Sequence, residues 1–171
     1  MLYSIPPVFP KTKGGAFTLV EILVVISIIG LLAGLGFPAI QGAIGAGKKA
    51  EVAGMAESIK TAINAYYAEY MTYPSNSGTT DLAFMNRMIS NNPRQISFLE
   101  IPPKFTNAQG IVTPAGFYKG NVRSNFSLNI DTQGRGILTN RVGTRTYSNS
   151  ASVAVWVSDP RDSSKPVGTF K

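Results

Sequence analysis

Few residues in this chain could do chemistry. The 171-residue sequence has no histidine and no cysteine, and its nine carboxylates are scattered. Without histidine the chain lacks the commonest general base and the commonest metal ligand. Without cysteine it has no disulfide, no thiolate ligand and no thiol nucleophile. A zinc- or iron-type centre would have to be built from carboxylates alone, against the preference of those metals for nitrogen and sulfur. An oxygen-ligated calcium site is compatible with the composition. No carboxylate pair or Ser/Lys constellation stands out as a catalytic centre. The glycine-rich stretch 42–47 lacks GxxxxGK[ST] and is no phosphate loop.

One carboxylate stands apart. Glu21 is the only charged residue in the otherwise apolar run 17–37. As a helix rising 1.5 Å per residue, that run spans about 30 Å, the thickness of a bilayer's hydrocarbon core. A carboxylate there costs roughly 2.5–3.5 kcal/mol at the centre and less near an end, where it can snorkel or take a proton. Pairing is the sharper reading. A cut between Ala16 and Phe17 would free an α-amino group on Phe17. A neighbouring copy shifted along the axis would bring that ammonium to Glu21. Each isolated polar group would then have a partner, and one helix stagger would be selected, as buried polar residues do in coiled coils.

The flanks support such a cut. Residues 1–16, with three prolines, Lys11, Lys13 and the small residues Gly14, Gly15 and Ala16, read as an extended leader. In an ordinary signal peptide the small residues follow the apolar core and the cut removes it. Here they precede it, so cutting would leave the hydrophobic helix at the new N-terminus. Lys11 and Lys13 give a weak preference for a cytoplasmic N-terminus and an exported remainder.

Residues 13–33, KGGAFTLVEILVVISIIGLLA, resemble the prepilin-type cleavage and methylation segment of type IV pilins and, more closely, of type II secretion pseudopilins. The resemblance implies a prepilin peptidase that cuts before Phe17 and methylates its amino group. Glu21 would then be the fifth residue of the processed chain. The residue before the cut is usually glycine in that family, whereas here it is Ala16 with Gly15 behind it. A cut after Gly15 is the alternative, but it would lose the Phe–Glu spacing. Pro38 also matches the family. It cannot donate a hydrogen bond to the carbonyl of Gly34, which strains a continuous helix by about 3 kcal/mol. The neighbouring glycines Gly34, Gly36 and Gly42 weaken the stretch further. A kink is the modest expectation; unwinding when helices pack side by side is what the resemblance implies.

The rest of the chain reads as a partner for that helix. Ile59, Ile63, Tyr66, Tyr67 and Tyr70 fall on one face of an amphipathic continuation, residues 45–73, which the Tyr73-Pro74 step should end. Core packing is the better reading of the tyrosines than a ligand cradle. Residues 81–89 read as a short helix capped by Thr80 or Asp81, and 91–105 as a proline-broken connection. Alternation in 122–130 predicts a half-buried strand, 131–136 a turn, 137–139 its hairpin partner and 151–157 the final strand, with a loop-like tail. The expected fold is α+β: leader 1–16, transmembrane or filament-core helix 17–44, amphipathic continuation 45–73, and an exported globular part 74–171 with a small antiparallel sheet.

A net charge of +7 with pI near 9.8 reads as a solvated basic surface, and no specific nucleic acid is expected. The leading functional reading is a structural subunit of a type II secretion pseudopilus. It would self-assemble into a helical filament with an inner-membrane assembly machinery, and membrane lipid would hold the helix beforehand. A type IV pilus subunit for adhesion, motility or DNA uptake is the alternative. Many such pilins carry a C-terminal disulfide loop, and this chain has no cysteine. A membrane-tethered enzyme or binding domain ranks third. No cofactor is expected. Major pseudopilins often bind calcium in C-terminal loops; Asp131, Asp159 and Asp162 are the acids placed to do so, but turn aspartates are the better reading.

Overall fold

The structure is a computed structural model and describes residues 17–75 and 78–169, with the side chain of Pro38 set aside. The predicted leader 1–16 lies outside the described residues. The chain divides into one unit ending at Ala43 and a second beginning at Ile44. Helix α1, Leu19–Tyr70, contributes to both.

In the first unit α1 is apolar on every side. Leu23, Val25, Ile29, Leu32 and Leu35 are all exposed, and the stretch is long and apolar enough to cross a membrane. The backbone stays helical across position 38.

In the second unit the same helix becomes one-sided. Val52, Met55, Ala56, Ile59, Ala62, Ile63 and Tyr66 are buried in an i, i+3, i+4, i+7 pattern, while Glu57, Thr61 and Asn64 stay outside. The buried stripe packs on Phe84, Met88, Leu99, Phe105, Phe126, Leu128, Val153, Val155 and Val157 in one core. The helix ends three residues before the predicted Tyr-Pro step. Met71 takes a left-handed φ of 53° and donates its N–H to the carbonyl of Tyr67 at 2.8 Å, an αL cap. That reversal brings Tyr73 back to stack on Tyr67 with ring centroids 4.5 Å apart.

Helix α2, Leu82–Ile89, is capped by Asp81, whose carboxylate accepts the Phe84 N–H at 2.8 Å. Thr80 is instead fully buried, and its hydroxyl donates to the Ile111 carbonyl (2.7 Å) and accepts the Phe126 N–H (2.9 Å). This one hydroxyl ties three segments that have no continuous ladder between them. Gly110 passes so close that a Cβ would lie 2.4 Å from the carbonyl carbon of Asp81, so only glycine fits there.

The strands are short and antiparallel. β1 (Thr106–Asn107) pairs with β2 (Gly110–Ile111). β3 (Ser127–Ile130), β6 (Val153–Ser158) and β7 (Pro166–Gly168) form the main sheet in the order β3-β6-β7. β4 (Leu138–Val142) and β5 (Arg145–Asn149) form a separate hairpin. The α+β expectation therefore holds, with a long apolar helix followed by small antiparallel sheets.

Three local expectations are corrected. The strand expected over 122–130 is regular only from Ser127, and Val122 is exposed. Residues 123–124 bond instead to Thr113: Thr113 N–H reaches the Ser124 carbonyl (2.8 Å), and Arg123 Nε reaches the Thr113 carbonyl (3.0 Å). Residues 137–139 do not pair with β3; Leu138 and Thr139 pair with Asn149 and Ser148. The 131–136 turn carries Gly134 and Gly136 at positive φ, and β3 is joined to β4 there by the side chain of Asn129, whose Nδ2 donates to Asn140 Oδ1 at 2.6 Å and to the Thr139 carbonyl at 3.3 Å. The expected final strand is the centre of the sheet, because β7 from the tail pairs with its far side. That pairing needs Gly168, where a Cβ would sit 2.2 Å from the Val155 carbonyl oxygen.

Candidate functional site

The start of α1 is organised by two side chains. Glu21 Oε2 accepts the Thr18 backbone N–H at 2.8 Å and the Thr18 hydroxyl at 2.9 Å, and the Glu21 N–H donates to Thr18 Oγ1 at 3.2 Å. This is a reciprocal capping box. It satisfies donors that an apolar surrounding would otherwise leave bare. Thr-x-x-Glu at positions 18–21 is the sequence signature of this box, so Glu21 is not an isolated charge but has a partner within its own turn. Phe17 is highly exposed directly ahead of it. The other predicted processing residues, Gly14, Gly15 and Ala16, lie outside the described residues, as does the side chain of Pro38. Ser27 folds its hydroxyl back onto the Leu23 carbonyl at 2.7 Å, leaving no bare polar side chain on that turn.

The calcium candidates fall in two loops. Asp131 heads the β3–β4 turn: its carboxylate accepts the Gly136 N–H (2.6 Å) and the Gln133 N–H (3.2 Å). Those bonds, that of Gly136 foremost, outweigh burial and hold the carboxyl below its ordinary range. Asp159 and Asp162 share the β6–β7 loop. Asp159 accepts the Arg161 N–H at 2.8 Å through Oδ1 and is bonded by the Lys49 ammonium at Oδ2. Burial pushes its carboxyl up, but the Lys49 hydrogen bond and the other positive groups win, and the net direction is down. Asp162 accepts the Ser164 N–H at 3.0 Å and pairs with Lys165 at 3.4 Å; the Ser164 bond is the main reason its carboxyl is lowered.

All six oxygens of the three carboxylates therefore face N–H donors. Calcium takes six to eight oxygen ligands and relies on several carboxylates converging on one point, whereas these three are turned to the N–H donors around them. Among the described residues no three His, Cys, Asp or Glu side chains are grouped to hold a metal. The donor set does not fit the ion in this arrangement.

The tyrosines serve packing. Tyr66, Tyr70 and Phe98 form a mutual cluster with centroids 4.6–5.8 Å apart. Tyr70 Oη donates to Asn92 Oδ1 at 2.9 Å and accepts the Arg94 N–H at 3.2 Å, which ties the end of α1 to the irregular 91–105 connection. A cleft of about 420 Å³ along Asn129, Asp131, Arg135 and Ile137 holds one carboxylate, Asp131, already occupied by the turn.

Residues 12–37 match the family described as the prokaryotic N-terminal methylation motif. Over 73 residues the chain is 36% identical to a fimbrial protein of Neisseria meningitidis serogroup A, an overlap of 43% of each chain. It is 34% identical over 73 residues to the type IV major pilin protein PilE1 of Neisseria gonorrhoeae, 43% of this chain and 44% of that one. It is 33% identical over 67 residues to the fimbrial protein EcpC of Eikenella corrodens, 39% of this chain and 44% of that one. The chain thus aligns with less than half the length of these curated relatives. No solved structure matches it. With the helix-then-sheet fold, these likenesses make the chain similar to type IV pilins and give it a prepilin-type N-terminus over residues 12–37.

Proposed function

We propose that this chain is a structural subunit of a helical filament, working by assembly and not by catalysis. The observation that carries the reading is the all-round apolar helix with Glu21 as its single charge, placed ahead of a separately packed unit. A prepilin peptidase cuts before Phe17 and methylates the new amino group. The helix then waits in the inner membrane with the C-terminal part exported. During assembly Glu21 exchanges part of its Thr18 capping for the Phe17 ammonium of a neighbouring copy, and the stretch around Pro38 loosens as helices pack.

The finer assignment is a type II secretion pseudopilus, supported by the absence of cysteine. A surface type IV pilus is the second reading, favoured by relatives named as fimbrial proteins and type IV major pilins.

The test has two stages. Mass and N-terminal sequence of the membrane-fraction protein should show a peptidase-dependent start at methylated Phe17; a chain still carrying Met1 would end the filament reading. Glu21→Ala should then insert and be cut normally, yet yield about tenfold less filament, as expected when a group that pairs in the filament interior is lost. Unchanged yield would remove the pairing role. In a deletion strain, lost protein secretion with intact surface fibres selects the pseudopilus, and the converse selects the pilus.

A further inference from the structure

The β6–β7 loop, where the family resemblance offered Asp159 and Asp162 as weak calcium candidates, is held together by its own backbone. Within the loop, Asp159 N–H bonds the Lys165 carbonyl at 2.8 Å, Lys165 N–H bonds the Asp162 carbonyl at 2.9 Å, and Asp162 N–H bonds the Asp159 carbonyl at 3.2 Å. These bonds close the loop on itself and leave Asp159 with a side chain only 10% exposed. A carboxylate so placed needs a counter-charge. The counter-charge comes from outside the loop, from Lys49 on α1.

We infer that Lys49 is the built-in cation of the β6–β7 loop, so that helix α1, and not a bound calcium ion, orders this part of the exported unit. Four observations converge on it. Asp159 is bonded at one oxygen by Lys49 and at the other by the Arg161 N–H, and Asp162 accepts the Ser164 N–H and pairs with Lys165 at 3.4 Å, so each carboxylate already has a positive partner. Residues 159–165 carry two acids, Arg161 and Lys165, so with Lys49 beside them the site is net positive and repels a divalent ion. The turn of α1 that carries Lys49 is itself pinned on both sides. Lys48 Nζ donates to the Gly116 carbonyl at 2.9 Å, and Glu51 pairs with Lys104. Finally, Tyr118 Oη donates to the Ser158 carbonyl at 2.7 Å, fixing the end of β6 where the loop begins. A pinned ammonium arrives with part of its ordering cost already met by the helix, whereas a free ion would have to displace bound donors and shed water. Loop order then follows the register of α1 and is indifferent to ambient calcium.

The test uses the full-length chain in detergent micelles, with trypsin cutting after Arg161 as the reporter of loop opening. Cutting of the wild type should stay within about twofold whether calcium chloride or excess EGTA is present, because no ion is part of the closed loop. Lys49→Met should speed the cut by about tenfold in both conditions, and Lys49→Arg should not, since a guanidinium can still reach Asp159. If Lys49→Met folds poorly, adding Asp159→Asn should recover most of the protection, because no charge is then left buried alone. Calcium-dependent protection of the wild type would overturn the inference. So would unaltered cutting in Lys49→Met, or a double variant no better protected than the single one.

Discussion

Between Leu19 and Ala43, helix α1 leaves Leu23, Ile26, Leu31 and Leu35 with half or more of their surface open, whereas between Ile44 and Tyr70 it buries Val52, Ala56, Ile59 and Ile63 completely. The two stretches share a backbone conformation and differ in where their apolar residues sit. In the second stretch they form a stripe, so one partner surface suffices, and this chain's own sheet supplies it. In the first they occupy every side, and no single surface could cover them. Only an apolar medium or a ring of similar helices can do so, and the hydrophobic effect makes leaving them in water costly, at about 25 cal/mol per Å². One helix thus carries two instructions, one completed within the chain and one that needs something outside it.

That division can be broken most forcefully from the core side. Phe126 is fully buried in the core that the second stretch of α1 shares, and Phe126→Ala should cost about 3–5 kcal/mol in denaturant unfolding of the full chain in micelles. Leu31→Ala, in the first stretch, should leave the same transition within about 0.5 kcal/mol. Equal losses would mean that the two stretches are not independent. The converse probe is Val25→Asp. A carboxylate there should oppose insertion by roughly 2.5–3.5 kcal/mol and move the chain out of the membrane fraction. The fold around Phe126, followed by near-ultraviolet circular dichroism, should be unaltered.

Much of this was legible in the residues. The period-3.6 stripe around Ile59 and Ile63, the Asp81 cap and the unbroken apolar run each have a local signature. What stayed hidden depended on residues distant in sequence. Val122 alternates correctly with Phe126 and Leu128, yet Arg123 and Ser124 find partners at Thr113 that no period can announce. β7 is three residues long and begins with a proline, which reads as tail until Gly168 is seen to allow Trp156 to approach. The β4–β5 hairpin turns at Gly143 and Thr144, and its strands are rich in polar residues, so they offer little hydrophobic contrast. Around the candidate site, the isolation of Glu21 marks it in the sequence, whereas its Thr18 partner, only three positions away, is an ordinary polar residue until the capping geometry is seen. For Asp159 the missing fact was Lys49, which is 110 residues distant.

A smaller effect sharpens the comparison at the helix start. Thr18→Val removes the hydroxyl of the capping box and should weaken the first turn by about 1 kcal/mol, read as faster amide exchange at residues 19–22 in micelles. Thr18→Ser keeps the hydroxyl and should behave as the wild type. The second unit should not sense either change.

The mildest probe is acid, which separates the two stretches by chemistry alone. In the first stretch Glu21 is the one titratable side chain and residues 22–43 contain none, while the second unit holds Asp131, Asp159 and Asp162 with carboxyls lowered by the bonds they accept. A carboxyl whose folded pKa lies below its unfolded value of about 3.9 binds fewer protons in the native state. It therefore stabilises the fold fully above that unfolded value, and the contribution fades as pH falls through the lower folded values. Thermal stability of the second unit should be flat from neutrality to about pH 5 and drop below about pH 4, as the bonds from Gly136, Arg161 and Ser164 lose their charged acceptors. Asp131→Asn should make the drop shallower, because one of the three linked protons is gone. Retention in the membrane should not change across the same range. If retention fell together with stability, the apolar stretch would owe its hold to the folded unit, and the independence of the two halves of α1 would fail.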